Sequence, residues 1–415
     1  MVGAGTRPCP PPASVPAPGI SSKRTTLTGL SFASRGAPRS PEAKGRRLES
    51  PARRAARAAL TSPPGLLQCE CPLRAVQTRR HPMRHFLTTM DYTRAEIEGL
   101  LERAQRFKRR PIEPRLKDRT IALVFFNPSL RTRTSFDVGI RELGGHAVVL
   151  EPGRSAWPIE FEEGIAMDGE PEEHIQEVAR VLSRYADLIG VRAFPKFQRW
   201  EEDRQDKVLQ GFARHATVPV INLETITHPC QELALALAMK ERLGRLDGKK
   251  FVLTWTYHPR PLNTAVANSA VLIASKLGMD VTLLCPSEEY HLDERYLDAA
   301  RKSAEGNGQK LSITYDIKSA YEGAHVVYAK SWGAIPYFGR WEQEKPIRDK
   351  NKHFIVDEQK MALTAGGLFS HCLPVRRNVK VTDAVIDSPA SMVIDEAENR
   401  LHVQKAVMDV LANGW

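Results

Sequence analysis

Short apolar runs alternate along the chain with stretches in which apolar residues recur every three or four positions. The runs fit buried strands, and the longer period fits helices with one face on a core. Runs of the first kind lie at 121–126, 147–150, 188–191, 218–222, 251–255, 281–285, 326–329, 354–356, 368–371 and 392–395. Helical patterns lie at 174–185, 231–243, 264–277, 294–305 and 401–411. Strands alternating with helices predict an α/β fold, here two doubly wound parallel-sheet domains joined by helices. The 231–243 helix bridges the two halves, and a final helix packs back on the body. The expected division is 83–225 and 226–395, with the C-terminal helix within 396–415. Such sheets bind ligands at the carboxyl ends of their strands, so the residues just after each strand matter most.

Composition separates the first 82 residues from the rest. They carry 14 Lys and Arg against 3 Asp and Glu, a net +11. The whole chain is also +11, so residues 83–415 are neutral, and the basic balance says nothing about the folded part. Without a basic surface the body is not expected to bind nucleic acid. Residues 1–82 are rich in Pro, Ala, Ser and Arg and poor in large apolar side chains, so the expectation is a disordered extension. Three readings of it stay open: a basic contact segment, an organelle transit peptide, or residues upstream of a true start at Met83. There is no secretory apolar core and no apolar stretch of about 18 residues, so no membrane span is expected, and the expected location is the cytoplasm. Cys9, Cys69, Cys71, Cys230, Cys285 and Cys372 are scattered without zinc-ligand spacing, so the expectation is reduced thiols and no metal. No Gly-rich dinucleotide fingerprint is present, and no cofactor is expected.

The densest chemistry follows the first strand. Ser129, Leu130, Arg131, Thr132, Arg133 and Thr134 sit where the strand gives way to a helix. A helix start leaves backbone N–H groups unpaired and favours negative charge. Guanidinium forks and hydroxyls there describe a phosphate site. The plain alternative is a capped helix with solvated arginines, but two Arg and three hydroxyls in six residues exceed what capping needs. Further along, Arg192 follows the 188–191 strand. Glu224, His228 and Gln231 follow the next, where His228 reads either as a core histidine or, paired with Gln231 at a helix mouth, as a donor to a polarised carbonyl. A Pro-punctuated loop carries His258 and Asn263. Cys372 and Arg376 follow the 368–371 strand; an unpaired Cys at a strand end is more often a packed small residue than a nucleophile. No acid/base dyad is evident. The pattern suits an activated phosphate compound held and polarised while an amine attacks.

Three of these segments together resemble a known family. Ser129-x-Arg131-Thr132-Arg133, His228-Pro229-x-Gln231 and His371-Cys372-Leu373-Pro374 are similar to the signature of the aspartate/ornithine carbamoyltransferases, and Asp395 to His402 resembles that family's C-terminal segment. Ala156 to Phe161, Tyr257 to Asn263 and Ala329-Lys330-Ser331-Trp332-Gly333 resemble its N-acetylornithine branch. Leu130 departs from the Thr found in most members. The resemblance implies a carbamoyl-phosphate domain and an amino-acid domain. It implies transfer of a carbamoyl group from carbamoyl phosphate to the δ-amine of N-acetyl-L-ornithine, a step of arginine biosynthesis, with N-succinylornithine or ornithine as alternative acceptors. Carbamoyl phosphate is then expected on Ser129 to Thr134, with Arg192, His228 and Arg376 catalytic and Gln231, Cys372 and Leu373 alongside. The acceptor is expected on Glu172, Glu224, His258, Asn263, Lys330, Cys372, Leu373 and Arg376. Family members are trimers with sites at subunit interfaces, so Trp157 is expected to reach in from a neighbour. Lys380 matches a lysine thought to be carboxylated in this branch. Lys330 favours an acylated, neutral α-nitrogen over an ammonium, and Glu172 favours an acetyl group over the second carboxylate of succinyl.

Overall fold

Residues Ile121 to Phe125 are buried on both faces of their strand, as a near-continuous apolar run requires of a parallel sheet with helices on either side. The computed structural model describes residues 83–415; the expectations for 1–82 lie outside them. Strand β1 (Thr120–Phe125) is followed by β2 (His146–Leu150), the two-residue β3 (Ile159–Glu160) and β4 (Glu173–His174), then β5 (Leu188–Arg192) and β6 (Val220–Glu224). β3 and β4 pair only with each other. The other four form a parallel sheet in the order β2-β1-β5-β6. The second sheet is built from β7 (Lys250–Trp255), β8 (Asp280–Leu284), β9 (Leu311–Thr314), β10 (Val326–Lys330) and β11 (Leu368–Ser370). It is also parallel, in the order β11-β10-β7-β8-β9. Each sheet reverses its winding once, beside β1 in the first and beside β7 in the second. Those are the points where a crevice opens at the strand ends.

Two helices hold the halves together. The Pro229–Leu243 helix is buried from Pro229 through Met239 with no exposed face, as befits a helix enclosed on all sides. The C-terminal helix Val393–Asn413 leaves the second sheet and packs on the helices Arg94–Arg109, Leu130–Glu142 and Pro229–Leu243. It buries many polar groups, and its buried charges are paired or hydrogen-bonded. Asp409, fully buried, takes Arg103 at 2.9 Å and Arg115 at 3.1 Å. Lys405 Nζ donates to Pro111 O at 3.0 Å and pairs with Glu142.

The sequence pattern and the structure differ in five places. The run 392–395 is not a strand. Ser391 makes a single bridge to Phe369, and the helix begins at Val393 with Asp395 and Glu396 in its first turn, where carboxylates complement the dipole. The run 354–356 is a 3₁₀ turn, Lys352–Phe354, followed by one bridge from Val356 to Val381. The 218–222 strand starts two residues later, after Pro219, which lacks the N–H a ladder needs. That shift puts Glu224 at the strand end. The helix Arg94–Arg109, closed by the reciprocal Thr93–Glu96 capping box, was not among the patterns read, nor was edge strand β9, whose four residues are all only half-buried.

Asp409→Ala would remove the carboxylate that Arg103, Arg106 and Arg115 of the first half share, leaving Arg103 and Arg115 without their anion at the helix contact. The expected loss is about 2 kcal/mol or more, read as a lower midpoint in thermal or urea unfolding. An unchanged midpoint would mean that the arginines relax into solvent.

Candidate active site

At the end of β1 the chain is held by its neighbour: Phe126 N donates to Arg192 O at 2.9 Å, and Asn127 Oδ1 accepts from Phe194 N at 2.7 Å. Ser129 then caps the Leu130–Glu142 helix, its Oγ accepting from Thr132 N at 3.1 Å. The first-turn N–H groups have no intrahelical acceptor. Arg131 stands beside them half-buried, and among the described residues no carboxylate pairs with its guanidinium. Burial lowers its pKa from the ordinary arginine value, with nearby Arg192 adding to the effect. Next to it the parallel register sets Arg192 opposite Glu224. Arg192 Nη1 donates to Glu224 Oε2, and His228 Nε2 lies 3.4 Å from the same oxygen. Burial holds His228 well below the usual histidine value, with Arg400, Arg192, Lys330 and Arg131 adding to it, so the ring is neutral. A carboxylate beside Nε2 favours the proton on Nε2. Both groups therefore face the same oxygen of Glu224.

The second sheet supplies the facing wall. Lys330, ending β10, lies 3.6 Å from Cys372 Sγ. Asn263 is locked, donating to Thr225 O at 2.6 Å and accepting from Ala265 N at 3.1 Å. Arg376 Nε donates to His258 Nε2 at 3.1 Å. His258 is lowered to about 4, by burial first and by Lys380, Arg376 and Lys330 after it, and so accepts as a neutral ring. Arg377 turns away to Asp383 and Asp387. Leu373 has φ 52°, a left-handed backbone that side chains with a Cβ rarely adopt, and its N–H donates to His371 Nδ1 at 2.9 Å. The loop at Lys330 lies close on the 257–263 loop: Gly333 N donates to Leu262 O at 2.9 Å, and a Cβ at Gly333 would come within 2.8 Å of Pro261 and 2.9 Å of Trp341.

One cavity of about 730 Å³ joins the two walls. Of the residues singled out from the sequence, it gathers Ser129, Leu130, Arg131, Thr132, Arg192, Glu224, His228, Gln231, His258, Asn263, Lys330, Cys372, Leu373, Arg376 and Lys380. It does not gather Arg133, Thr134, Trp157 or Glu172. Arg133 and Thr134 follow the helical rotation out to solvent, and Arg133 pairs with Glu151 at 2.9 Å. Trp157 is 65% exposed and lines a separate, largely apolar hollow of about 500 Å³ beside β2. Glu172 is exposed just before β4. One charged cavity residue has no role from the sequence: Arg400, on the C-terminal helix, donates to Thr132 Oγ1 at 2.9 Å and to Gln231 Oε1 at 2.5 Å. The signal was its place in the Asp395–His402 segment, to which no role had been given.

The cavity's charge is lopsided. Arg131, Arg192, Lys330, Arg376, Lys380 and Arg400 line it against a single carboxylate, Glu224. Arg192 Nε, His228 Nδ1 and Arg400 Nε are buried without a protein partner. Thr132 Oγ1 accepts from Arg400, so its own proton is left to donate. Lys380 is 2% exposed and lowered to about 7, chiefly by burial and next by Lys330. Such a site holds an anion rich in acceptor oxygens and stabilises negative charge developing on an oxygen. Among the described residues no cluster of three or more His, Cys, Asp or Glu side chains is grouped for a metal ion, and no helix is long and apolar enough to cross a membrane.

The chain matches the aspartate/ornithine carbamoyltransferase family in both of its parts, the carbamoyl-P binding domain over residues 84–241 and the Asp/Orn binding domain over residues 253–411. It is 66% identical over 333 residues to the N-acetylornithine carbamoyltransferase of Xanthomonas axonopodis pv. citri, covering 80% of this chain and 97% of that protein. It is 38% identical over 285 residues to the N-succinylornithine carbamoyltransferase of Bacteroides fragilis, covering 68% of this chain and 84% of that one. A crystal structure of acetylornithine transcarbamylase complexed with acetylcitrulline superposes with a TM-score of 0.79 at 66% identity, over 79% of this chain and 99% of that one. With both domain types matched in order across most of the described residues, the chain belongs to the aspartate/ornithine carbamoyltransferase family.

Proposed function

We propose that this chain transfers the carbamoyl group of carbamoyl phosphate to the δ-amine of N-acetyl-L-ornithine, releasing N-acetyl-L-citrulline and phosphate. The observation that carries the reading is the charge of the cavity between the two sheets: six basic side chains, Arg131 among them without a carboxylate partner at a helix start, against one carboxylate. The phosphate rests on the first-turn N–H groups, Ser129, Arg131 and Thr132. The carbonyl oxygen faces Arg192 and His228, which both lie on Glu224 Oε2 in the structure and turn from it to the substrate, with Thr132 as a further donor and Arg376 nearby. The neutral δ-amine, received by the backbone carbonyls of Cys372 and Leu373, attacks the carbonyl carbon. The new C–N bond forms, the oxyanion collapses, the C–O bond to phosphate breaks, and the amine proton leaves on a phosphate oxygen. No protein base is needed, and catalysis is positioning and electrostatics.

Glu224, His258, Asn263, Lys330 and Arg376 bind the amino-acid part of the acceptor. A lysine near the α-nitrogen suits an acylated nitrogen and repels an ammonium. Trp157 and Glu172 are exposed and lie outside the cavity of their own chain, so in this reading a neighbouring copy of a homotrimer presents them, Glu172 toward the acyl group. The apolar hollow at Trp157 and the exposed Val148, Val181 and Tyr185 on the same half support such packing. Lys380 is read as carboxylated: its neutral amine adds to CO₂ and loses a proton, turning a buried cation into an anion. Buried His371 Nε2, left without a partner while Nδ1 accepts from Leu373, is a donor that such an anion would answer. The mass increment of one CO₂ on the peptide carrying Lys380, kept under bicarbonate, is the check; an unmodified peptide defeats that part.

Arg131→Ala is expected to cost about 1.5–3 kcal/mol of phosphate binding, at least about tenfold in kcat/KM. Carbamoyl phosphate should then no longer raise the melting temperature. An undiminished shift would put the phosphate elsewhere.

Initial rates with N-acetylornithine, N-succinylornithine and ornithine test the acceptor. The expectation is N-acetylornithine preferred, with free ornithine slower on the order of 10³-fold from the like-charge clash at Lys330. Glu172→Ala should admit N-succinylornithine. Preference of the wild type for ornithine defeats the role of Lys330; preference for N-succinylornithine defeats only that of Glu172.

A further inference from the structure

Behind the cavity wall lies a carboxylate that the proposed chemistry does not use. Glu396, in the first turn of the C-terminal helix, is fully buried. Its Oε1 accepts from Gln231 Nε2 at 2.5 Å and from Tyr328 OH at 3.0 Å, and its Oε2 accepts from Ser370 Oγ. Tyr328 and Ser370 are fully buried as well. All three partners donate, so the ionised carboxylate, which only accepts, is the form they match. Burial pulls its pKa upward from the ordinary glutamate value, and these donors and the charge of Arg400 pull against it.

The bonds continue in one direction. Gln231 carries its Nε2 on Glu396 and its Oε1 under Arg400 Nη1. The reverse amide orientation would set oxygen against carboxylate and NH₂ against guanidinium, so the network fixes the amide. Arg400, four residues beyond Glu396 on the same helix, uses its other nitrogen on Thr132 Oγ1 at 2.9 Å. Thr132 then has one proton left, and it lines the cavity. At the other end, Ser370 directly precedes His371-Cys372-Leu373, and Tyr328 stands two residues before Lys330 on β10.

We propose that Glu396 is a positioning residue for the transfer, orienting Gln231, Arg400 and, through them, Thr132 at the carbamoyl-phosphate side, with Tyr328 and Ser370 holding the carboxylate in place. This rests on the carbamoyl-transfer reading above. A buried carboxylate that only stabilised the fold would need donors but not this sequence of them. Here each bond sets the direction of the next, and the last member faces the cavity. Glu396→Gln keeps the volume but removes the charge and sets an NH₂ against either Ser370 or the pair Gln231 and Tyr328, so the hold on the amide of Gln231 weakens.

The test is steady-state kinetics, per folded site, on the full chain. For Glu396→Gln the KM for carbamoyl phosphate should rise about tenfold or more, as for a lost charge-assisted hydrogen bond, and kcat should fall. The KM for the acceptor should stay within about threefold, less than one such bond. Glu396→Asp, which restores the charge, should recover part of the loss. A Glu396→Gln enzyme that melts earlier yet keeps wild-type constants per folded site overturns the proposal and leaves a purely structural residue. Should Glu396→Gln fail to fold, Tyr328→Phe and Ser370→Ala decide, each trimming one donor. A carbamoyl-phosphate KM raised about twofold or more, the size of one weak hydrogen bond, supports the relay, and wild-type values overturn it. A wild-type chain without carbamoyl transfer defeats the functional reading itself. An active wild type with silent variants defeats only the relay.

Discussion

Like charges do not gather unassisted, and the site of this protein depends on a fold that forces them together. Six basic side chains share a cavity with one carboxylate. Burial works against the cations among them: Lys380 is brought down to about 7, and Arg131 and Arg400 are lowered too. The two parallel sheets supply the force. Their ladders fix the strand ends, so that Arg192 meets Glu224 and Lys330 meets the 370–373 turn before any ligand is present. The free energy that packs the strands and the enclosed Pro229–Leu243 helix also holds the repulsion. An anionic substrate relieves it, so binding and neutralisation are one event.

How the few polar contacts are divided matters as much as their number. Glu224 takes both Arg192 and His228 on one oxygen, and Arg377 is drawn off by Asp383 and Asp387 while its neighbour Arg376 stays at the cavity. Adjacent arginines thus do different work, one held by surface carboxylates and one left for the site. His258, neutral, accepts from Arg376 and aims it without cancelling its charge.

Much of this was legible in the sequence. Parallel strands bury both faces, so they read as continuous apolar runs, and most of the runs expected are strands. The helix-start chemistry at Ser129–Thr132 was visible because hydroxyls and guanidiniums cluster within a few residues. The failures have physical causes. Met392-Val393-Ile394 is apolar and partly β-branched, too short to show a period of its own, and the carboxylates just after it outweigh that bias at a helix start. Arg400 is bonded to Thr132 across 268 residues of chain, a distance no local pattern reports. Arg133 sits in the motif, yet one residue is 100° of helical rotation, which carries it away from the cavity. Trp157 and Glu172 are exposed and lie outside the cavity, and no local pattern around them reports that distance from the strand ends.

The return of the last helix to the first sheet bears on how the protein is made. Arg400 and Glu396 lie on that helix, and the wall formed by Thr132 and Gln231 has no partner for their inward groups until it docks. A chain still emerging from the ribosome can pair β1 with β2 and β5, and later build the second sheet, yet its donor pocket lacks one side. The pocket is thus complete only when that helix is in place, so a chain cut short before Glu396 keeps both sheets' strands and an open wall at Thr132 and Gln231.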